Sequence, residues 1–418
     1  MKRHILFVID SLAGGGAEKI MCNLVSGLDT GKFKASIYMS LDSKIEYDIP
    51  DTVKLYSSAN QELMSTDNND SRIELLIERI AKFYNFKYFT SKECYSKKRE
   101  EMEKFLGDLY LSSKVLNGII QKEKPDLIVS FLVNSNLIVL INKYLFKTDI
   151  PACCSDHTIL SREIKSFPYL FCYRMLIKLL YKRSDYHIAV SEGSKDDLVK
   201  YCWLPKDKVI KIYNGIDIEN VKKESEEKLN GETEEILQDK NTKKIITSGR
   251  LTNVKNHELL IRAYNKMQFR SNTKLLILGT GEKKEKLQNL ANNLGIGDDV
   301  LFLGWRKNPF NIISRCDLFV LSSDWEGLPL VIIEAMSLGI PVISTDCPSG
   351  PGEILENGKC GVLVKPKDEN KLADAITKLL SDRQLRYELS ELAKRRANDF
   401  SLKTMIDNYE ELFTNILQ

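Results

Sequence analysis

"EGLPLVIIEAMSLGIPVISTDCPSGPGEIL" spans residues 326–355. Two carboxylates, Glu326 and Glu334, flank an almost wholly apolar run, and a glycine- and proline-rich loop follows the next apolar run. Pro329 has a fixed φ and no N–H to lose, so it suits the first turn of a helix. That helix is predicted over 328–338, with Gly339 as its cap. Glu326 then lies in the loop before the helix and Glu334 about one and a half turns into it. The open N–H groups at such a helix start form an anion site. A ligand carrying phosphates and two sugar rings would use all three features. Its phosphate or sugar oxygens would meet the amides, and its hydroxyls would donate to the two carboxylates. A glutamate inside an apolar helix is costly without partners. Either such a ligand supplies them or a buried Lys or Arg does.

Working outward, short apolar runs alternate with longer amphipathic segments. Strands are predicted at 5–9, 35–39, 127–131, 152–155 and 186–190, then at 244–247, 274–278, 300–303, 318–321, 341–344 and 361–364. Runs that are apolar on both faces and separated by helices mean parallel sheets. The fold class is therefore α/β, with two doubly wound, Rossmann-like halves. Residues 1–212 are expected to form the first domain and 213–399 the second. The charged, strand-free stretch from Asn214 is read as a linker with a short helix. Residues 400–418 place Phe400, Met405, Tyr409, Leu412 and Ile416 at helical spacing, a helix expected to pack back on the first domain. Residues 71–123, rich in Lys, Arg, Phe and Tyr, are read as long helices inserted in that domain. They are either a solvated helix pair with a buried face or a membrane-surface patch.

The totals agree with a chain of this kind. At 418 residues it is too long for one ordinary core. A net charge of +3 does not suit a nucleic-acid binder. Nine cysteines without a CxxC pair argue against a disulfide framework or a zinc ribbon, and suit reduced thiols in a cytoplasmic compartment. "MKRHILFVID" reads as a buried first strand and not as a signal peptide. "LIVSFLVNSNLIVLI" is interrupted by Asn134, Ser135 and Asn136, so it reads as strand, turn and helix and not as a membrane span.

Further motifs accumulate at the carboxyl ends of the predicted strands. "SGRLTNVKNHELL" places Arg250 after a strand and Lys255 at the start of a helix, two cations suited to a diphosphate. "LLILGTGE" puts Gly279 and Gly281 between strand and helix, where glycine lets backbone approach a ligand closely. "LFLGWRKNP" ends a strand at Gly304. "GGGAEK" opens the first helix with Gly14, Gly15 and Gly16. His157 follows a strand in "SDHT"; Asp156 beside it either orients the imidazole or starts a turn. "DIE" at 217–219 loosely imitates a metal-binding DxD, but it lies just after a turn, and no metal is expected. Strand-end features of this kind describe a nucleotide crevice.

The order "SGRL…K", "GTGE", "FLG", "EGLPLVIIEAMSLGIPVIS" resembles the retaining glycosyltransferases of GT-B family four, whose paired glutamates match Glu326 and Glu334. "GGGAEK", "SDHT", "AVSE" and "YNGID" agree with it in the first half, and "CPSGPGEIL" resembles bacterial transferases of surface polysaccharides and lipid-linked oligosaccharides. The basic stretch at 71–123 is read as lying outside the resemblance. The resemblance implies two Rossmann-like domains facing each other across a cleft. It implies that Arg250 and Lys255 hold the donor diphosphate and that Glu334 bonds the ribose. Glu326 would contact the transferred sugar, aided by the amides of Gly327, Leu328, Leu330 and Val331. Gly279, Gly281 and the segment around Trp305 would border the base. Gly15 and Gly16 would close over the reacting centre, with His157 beside the donor sugar. It further implies a nucleotide-sugar donor, UDP-linked, and no cofactor. The acceptor would be a glycan or a polyprenyl-diphosphate-linked sugar, met at the cytoplasmic face of an anionic membrane. No nucleophile with an adjacent base stands out, so the implied mechanism is front-face displacement, with positioning and leaving-group stabilisation supplied by the protein. A nucleotide-sugar epimerase of the same architecture and a non-catalytic sugar-nucleotide-binding subunit are the rival readings.

Overall fold

A computed structural model describes residues 2–58, 92–167, 169–229, 232–268 and 270–418. The chain divides into two compact units. Unit 1 comprises Met1–Val190, Ser194–Ile212 and Ile406–Gln418, and unit 2 comprises Ser191–Gly193 and Tyr213–Met405.

Unit 1 is built on seven strands: β1 (Arg3–Ile9), β2 (Phe33–Met39), β3 (Lys54–Ser57), β4 (Leu127–Phe131), β5 (Ala152–Asp156), β6 (Tyr186–Ala189) and β7 (Val209–Lys211). Their order is β3-β2-β1-β4-β5-β6-β7, with every pairing parallel. Unit 2 has β8 (Lys243–Ser248), β9 (Thr273–Leu278), β10 (Val300–Gly304), β11 (Leu318–Leu321), β12 (Val342–Thr345) and β13 (Val362–Val364), in the order β10-β9-β8-β11-β12-β13, again all parallel. Each sheet reverses its winding once, between β1 and β4 and between β8 and β11. Doubly wound sheets open their ligand crevices at such points.

The central strands are legible because both faces are covered. Every residue of β4, β5, β11 and β12 is buried. The two strands missing from the sequence reading, β3 and β7, are the outermost of their sheet. Each is short and buries a single side chain, so neither shows a continuous apolar run.

The helices used below are α1 (Gly16–Gly27), α2 (Lys92–Glu123), α3 (Val133–Leu145), α4 (Leu170–Leu180), α5 (Glu192–Cys202), α6 (His257–Lys266), α7 (Leu330–Ser337) and α8 (Leu402–Ile416). Of the stretch expected to be an insertion, 71–91 lies outside the described residues, and 92–123 is the single helix α2. One face of it is core: Leu106, Val115, Leu116 and Ile119 are fully buried in unit 1. The expected linker holds helices at Ile218–Ser225 and Glu232–Gln238 and counts with unit 2. Asp217 of "DIE" is the N-cap of the first of these, accepting from Asn220 N at 2.9 Å.

α8 begins in unit 2 and finishes in unit 1. There Phe413 meets Phe7 at 6.3 Å and Phe33 at 6.0 Å, both edge-on. Glu410 accepts from Asp29 N at 2.6 Å, and Arg3 reaches the carbonyl of Leu417 at 2.9 Å.

Candidate active site

At the winding reversal of sheet 2, the loop after β8 meets the loop after β11. Asp324 N donates to Val254 O at 2.8 Å, Ser322 Oγ to Lys255 O at 3.1 Å, and Asn256 Nδ2 to Asp324 Oδ1 at 2.9 Å. Asn256 takes a left-handed conformation (φ 46) and caps α6 through Leu259 N, so the chain turns sharply just after Lys255. The result is an ion pair: Lys255 Nζ lies 2.6 Å from Glu326 Oε1, with side chains 21% and 11% exposed. Ser323 Oγ donates to the same oxygen at 2.6 Å. Two groups assigned to different parts of a ligand are thus bonded to each other. Arg250, by contrast, is exposed at the end of β8.

The helix after Glu326 starts two residues later than expected. Pro329 is the N-cap (φ −73, ψ 96) and α7 begins at Leu330. The physical reason is the "CPSGP" loop. Ser349 Oγ donates to Gly327 O at 2.9 Å, and Gly350, at φ +89, lies so close that a Cβ on it would stand 2.5 Å from Pro329 Cδ. The 349–350 loop therefore packs against residues 327–329, directly ahead of α7. α7 has no side-chain N-cap bond, leaving its first amides for an outside acceptor. Glu334 is half-buried in its second turn. At the other end Gly339 (φ +73) donates to Met336 O at 2.9 Å and Ile340 N to Ala335 O at 3.0 Å, a Schellman cap.

Gly279 and Gly281 each face the chain's own backbone. Gly279 is at φ +129, and a Cβ there would stand 2.0 Å from Gly249 O. At Gly281 it would stand 2.5 Å from Leu251 O. What they admit is the backbone on either side of Arg250, which Gly249 N→Leu278 O (3.0 Å) and Leu251 N→Thr280 O (2.9 Å) stitch to the β9 loop. They shape the site by letting two strand-end loops touch.

In unit 1 the glycine loop starts α1 with Gly15 at the N-cap and no side-chain cap. Gly15 O accepts from Tyr47 at 2.7 Å, and the Glu18 carboxylate lies over Gly15, 2.0 Å from where a Cβ would be. Around Gly16 there is open space. His157 follows β5, its ring stacked on Phe131 (5.0 Å between centroids, 24° between planes) and its Nε2 3.1 Å from Ser155 Oγ. Burial pushes this imidazole down to about 4, so it is neutral at physiological pH. The neighbouring Asp156 is buried and turns to Asn136 Nδ2 and Tyr181 OH, both at 3.2 Å.

One group escaped the sequence reading. Asp10, one residue past β1, accepts from Ser135 Oγ at 2.7 Å, Asn134 Nδ2 at 3.1 Å and Ser40 Oγ at 3.3 Å, and burial raises its carboxyl. Tyr173 completes the chain by donating to Asn134 Oδ1 at 2.6 Å. The signal was the polar "NSN" inside an apolar run, which marks the start of α3 and also the winding reversal of sheet 1.

Comparison with known proteins bears on the family and the fold. Residues 231–396 match the model of glycosyl transferases group 1, and 94–220 match that of glycosyltransferase family 4. The second match takes in 94–123, so that part of the basic stretch lies inside the resemblance and not outside it. An uncharacterized glycosyltransferase of Methanocaldococcus jannaschii is 31% identical, over 81% of this chain and 94% of its own. The N-acetylgalactosamine-N,N'-diacetylbacillosaminyl-diphospho-undecaprenol 4-alpha-N-acetylgalactosaminyltransferase of Campylobacter jejuni is 29% identical, over 94% of each chain. Among solved structures, Anabaena HepE in complex with UDP-glucose superposes with a TM-score of 0.72 at 21% identity, over 99% of each chain. Sequence, sheet order and relatives converge: the chain belongs to the group 1, family 4-like glycosyltransferases, with the two parallel-sheet Rossmann-like domains of the GT-B fold.

Proposed function

We propose that the chain transfers a hexose or N-acetylhexosamine, with retention of configuration, from a UDP-sugar to a glycan or polyprenyl-diphosphate-linked acceptor in bacterial polysaccharide or lipid-linked oligosaccharide synthesis. The work is placed at the cytoplasmic face of the membrane. The observation that carries this reading is the Lys255–Glu326 pair beside the uncapped start of α7. A diphosphate arriving there exchanges one carboxylate for phosphate oxygens on Lys255. That frees Glu326 to accept from sugar hydroxyls.

In this reading Arg250, exposed on the same strand end, folds onto the diphosphate as a second cation. The amides of Gly327, Leu328, Leu330 and Val331 face its oxygens or those of the sugar. Pro329 is silent, having no N–H. Glu334 accepts from the ribose, and the Gly279–Gly281 loop borders the base. Gly15 and Gly16 bring backbone amides toward the reacting centre, and His157, neutral, donates one hydrogen bond to the donor sugar. No metal is required, because the two cations and the helix start offset the charge that develops on the leaving diphosphate. Two relatives support the donor and acceptor classes. HepE was crystallised with UDP-glucose, and the Campylobacter enzyme's name specifies an alpha linkage to a diphospho-undecaprenol-linked acceptor.

The test is a screen of sugar nucleotides against lipid-diphosphate acceptors, with the anomeric configuration of the product read by NMR. An alpha product from an alpha-linked UDP-sugar is expected. An inverted product removes the front-face mechanism, and release of UDP from no sugar nucleotide favours a non-catalytic binding subunit.

A further inference from the structure

Trp203 stands where glycine usually ends a helix. It follows α5 directly, in a left-handed conformation (φ 54), with Leu204 buried and Pro205 next. A bulky side chain is disfavoured there, yet 69% of it is exposed to solvent. Two ammonium groups lie by its ring: Lys178 Nζ is 6.0 Å and Lys182 Nζ 5.7 Å from the centroid. One turn back on the same face Arg174 is exposed, and beyond it Phe171 is exposed at the start of α4. Phe171, Arg174, Lys178 and Lys182 follow at helical spacing and are all exposed, so they form one outward stripe, with Trp203 laid alongside its two lysines.

The charge on this face is one-sided. From 164 to 184 the sequence contains five Lys and Arg and no Asp or Glu. The acids that come near on α5 and at the start of β6 are engaged elsewhere. Asp197 accepts from Ser161 N at 2.9 Å, Asp196 pairs with Lys200 at 3.1 Å, and Asp185 with Lys143 at 2.9 Å.

We propose that the α4 face with Trp203, Lys178 and Lys182 docks on an anionic lipid surface. Tryptophan prefers the boundary where one side of its ring is apolar and its N–H stays wet. Lysines beside it bury their stems and reach the headgroup phosphates. In water the lysines cover the ring; at a membrane they turn to the phosphates as the indole enters the interface. No helix among the described residues is long and apolar enough to cross a membrane, so contact of this kind is peripheral. The site lies outside the 71–123 stretch. The inference rests on the proposed lipid-linked acceptor for its purpose, but not for its geometry.

The experiment is co-sedimentation of the full chain with phosphatidylcholine vesicles and with vesicles that also contain about one-third phosphatidylglycerol, at low and high salt. Binding to the anionic vesicles alone is expected, weakened by salt, with a blue shift of tryptophan emission. Trp203→Gly, which suits the left-handed backbone and should keep the melting temperature, is expected to remove the blue shift and lower binding roughly tenfold. Lys178→Glu with Lys182→Glu is expected to lower it by more than about tenfold. Equal binding to both vesicle types, no binding, or no effect of either variant overturns the proposal. So does tight binding to heparin with none to vesicles, which would mark a soluble polyanion as the partner. UDP binding by calorimetry separates the two ideas. A chain that binds UDP but no vesicles spares the transferase reading and sinks the surface, and the opposite result does the reverse.

Discussion

Lys255 Nζ and Glu326 Oε1, 71 positions apart in sequence, lie 2.6 Å from each other at the point where sheet 2 reverses its winding. Removing one partner leaves the other half-buried and unpaired. Lys255→Ala is therefore expected to cost about 1–3 kcal/mol of stability, to abolish transfer and to weaken UDP binding roughly tenfold or more. Glu326→Gln in the same chain should restore much of the stability and none of the transfer. Thermal melts and calorimetry on the two single variants and the double variant read this. Unchanged UDP affinity in Lys255→Ala would show the donor site to be misplaced.

The glycines are expected to separate into two kinds. Gly279→Ala puts a Cβ 2.0 Å from Gly249 O on a backbone at φ +129. It should destabilise by roughly 2–4 kcal/mol, with a matching loss in urea midpoint. Gly16→Ala meets nothing within 4 Å, so the melt should be unchanged while turnover falls, if the loop's backbone comes close to the reacting centre. Full turnover in Gly16→Ala would confine the glycine run to turn geometry.

His157 and His257 are both lowered from 6.5 to about 4 by burial. A depressed folded-state value means that folding favours the neutral ring. The stabilisation is complete above pH 6.5 and is lost as pH falls from 6.5 through about 4. Stability should therefore decline across that window by up to about 1.4 kcal/mol per pH unit for each ring. His157→Gln should flatten part of the slope, in urea titrations at several pH values. Carbon-bound ring protons that titrate near 6.5 in the folded chain would contradict it.

Phe413 on α8 seals against Phe7 and Phe33 and is fully buried. Phe413→Ala is expected to cost about 3–5 kcal/mol. Removing 406–418 should expose those rings, raising dye binding and aggregation. A truncated chain with an unchanged melt would show the helix to be dispensable.

The alternation of wholly apolar runs with amphipathic segments was enough to place the buried strands, because a sheet covered on both faces leaves no choice of side. Sequence order alone suggested that Arg250, Lys255, Glu326 and Glu334 act together; Arg250, Lys255 and Glu326 lie in the loops after β8 and β11, and Glu334 in the second turn of α7. Local pattern carried no trace of β3 and β7, since neither shows a continuous apolar run. Nor did it reveal that Lys255 and Glu326 are bonded to each other, that Gly279 and Gly281 yield to the chain's own backbone, or that Asp10 holds the start of α3. Those depend on which strand ends lie side by side. Strand order is set by packing across the whole sheet, and a linear sequence does not display it.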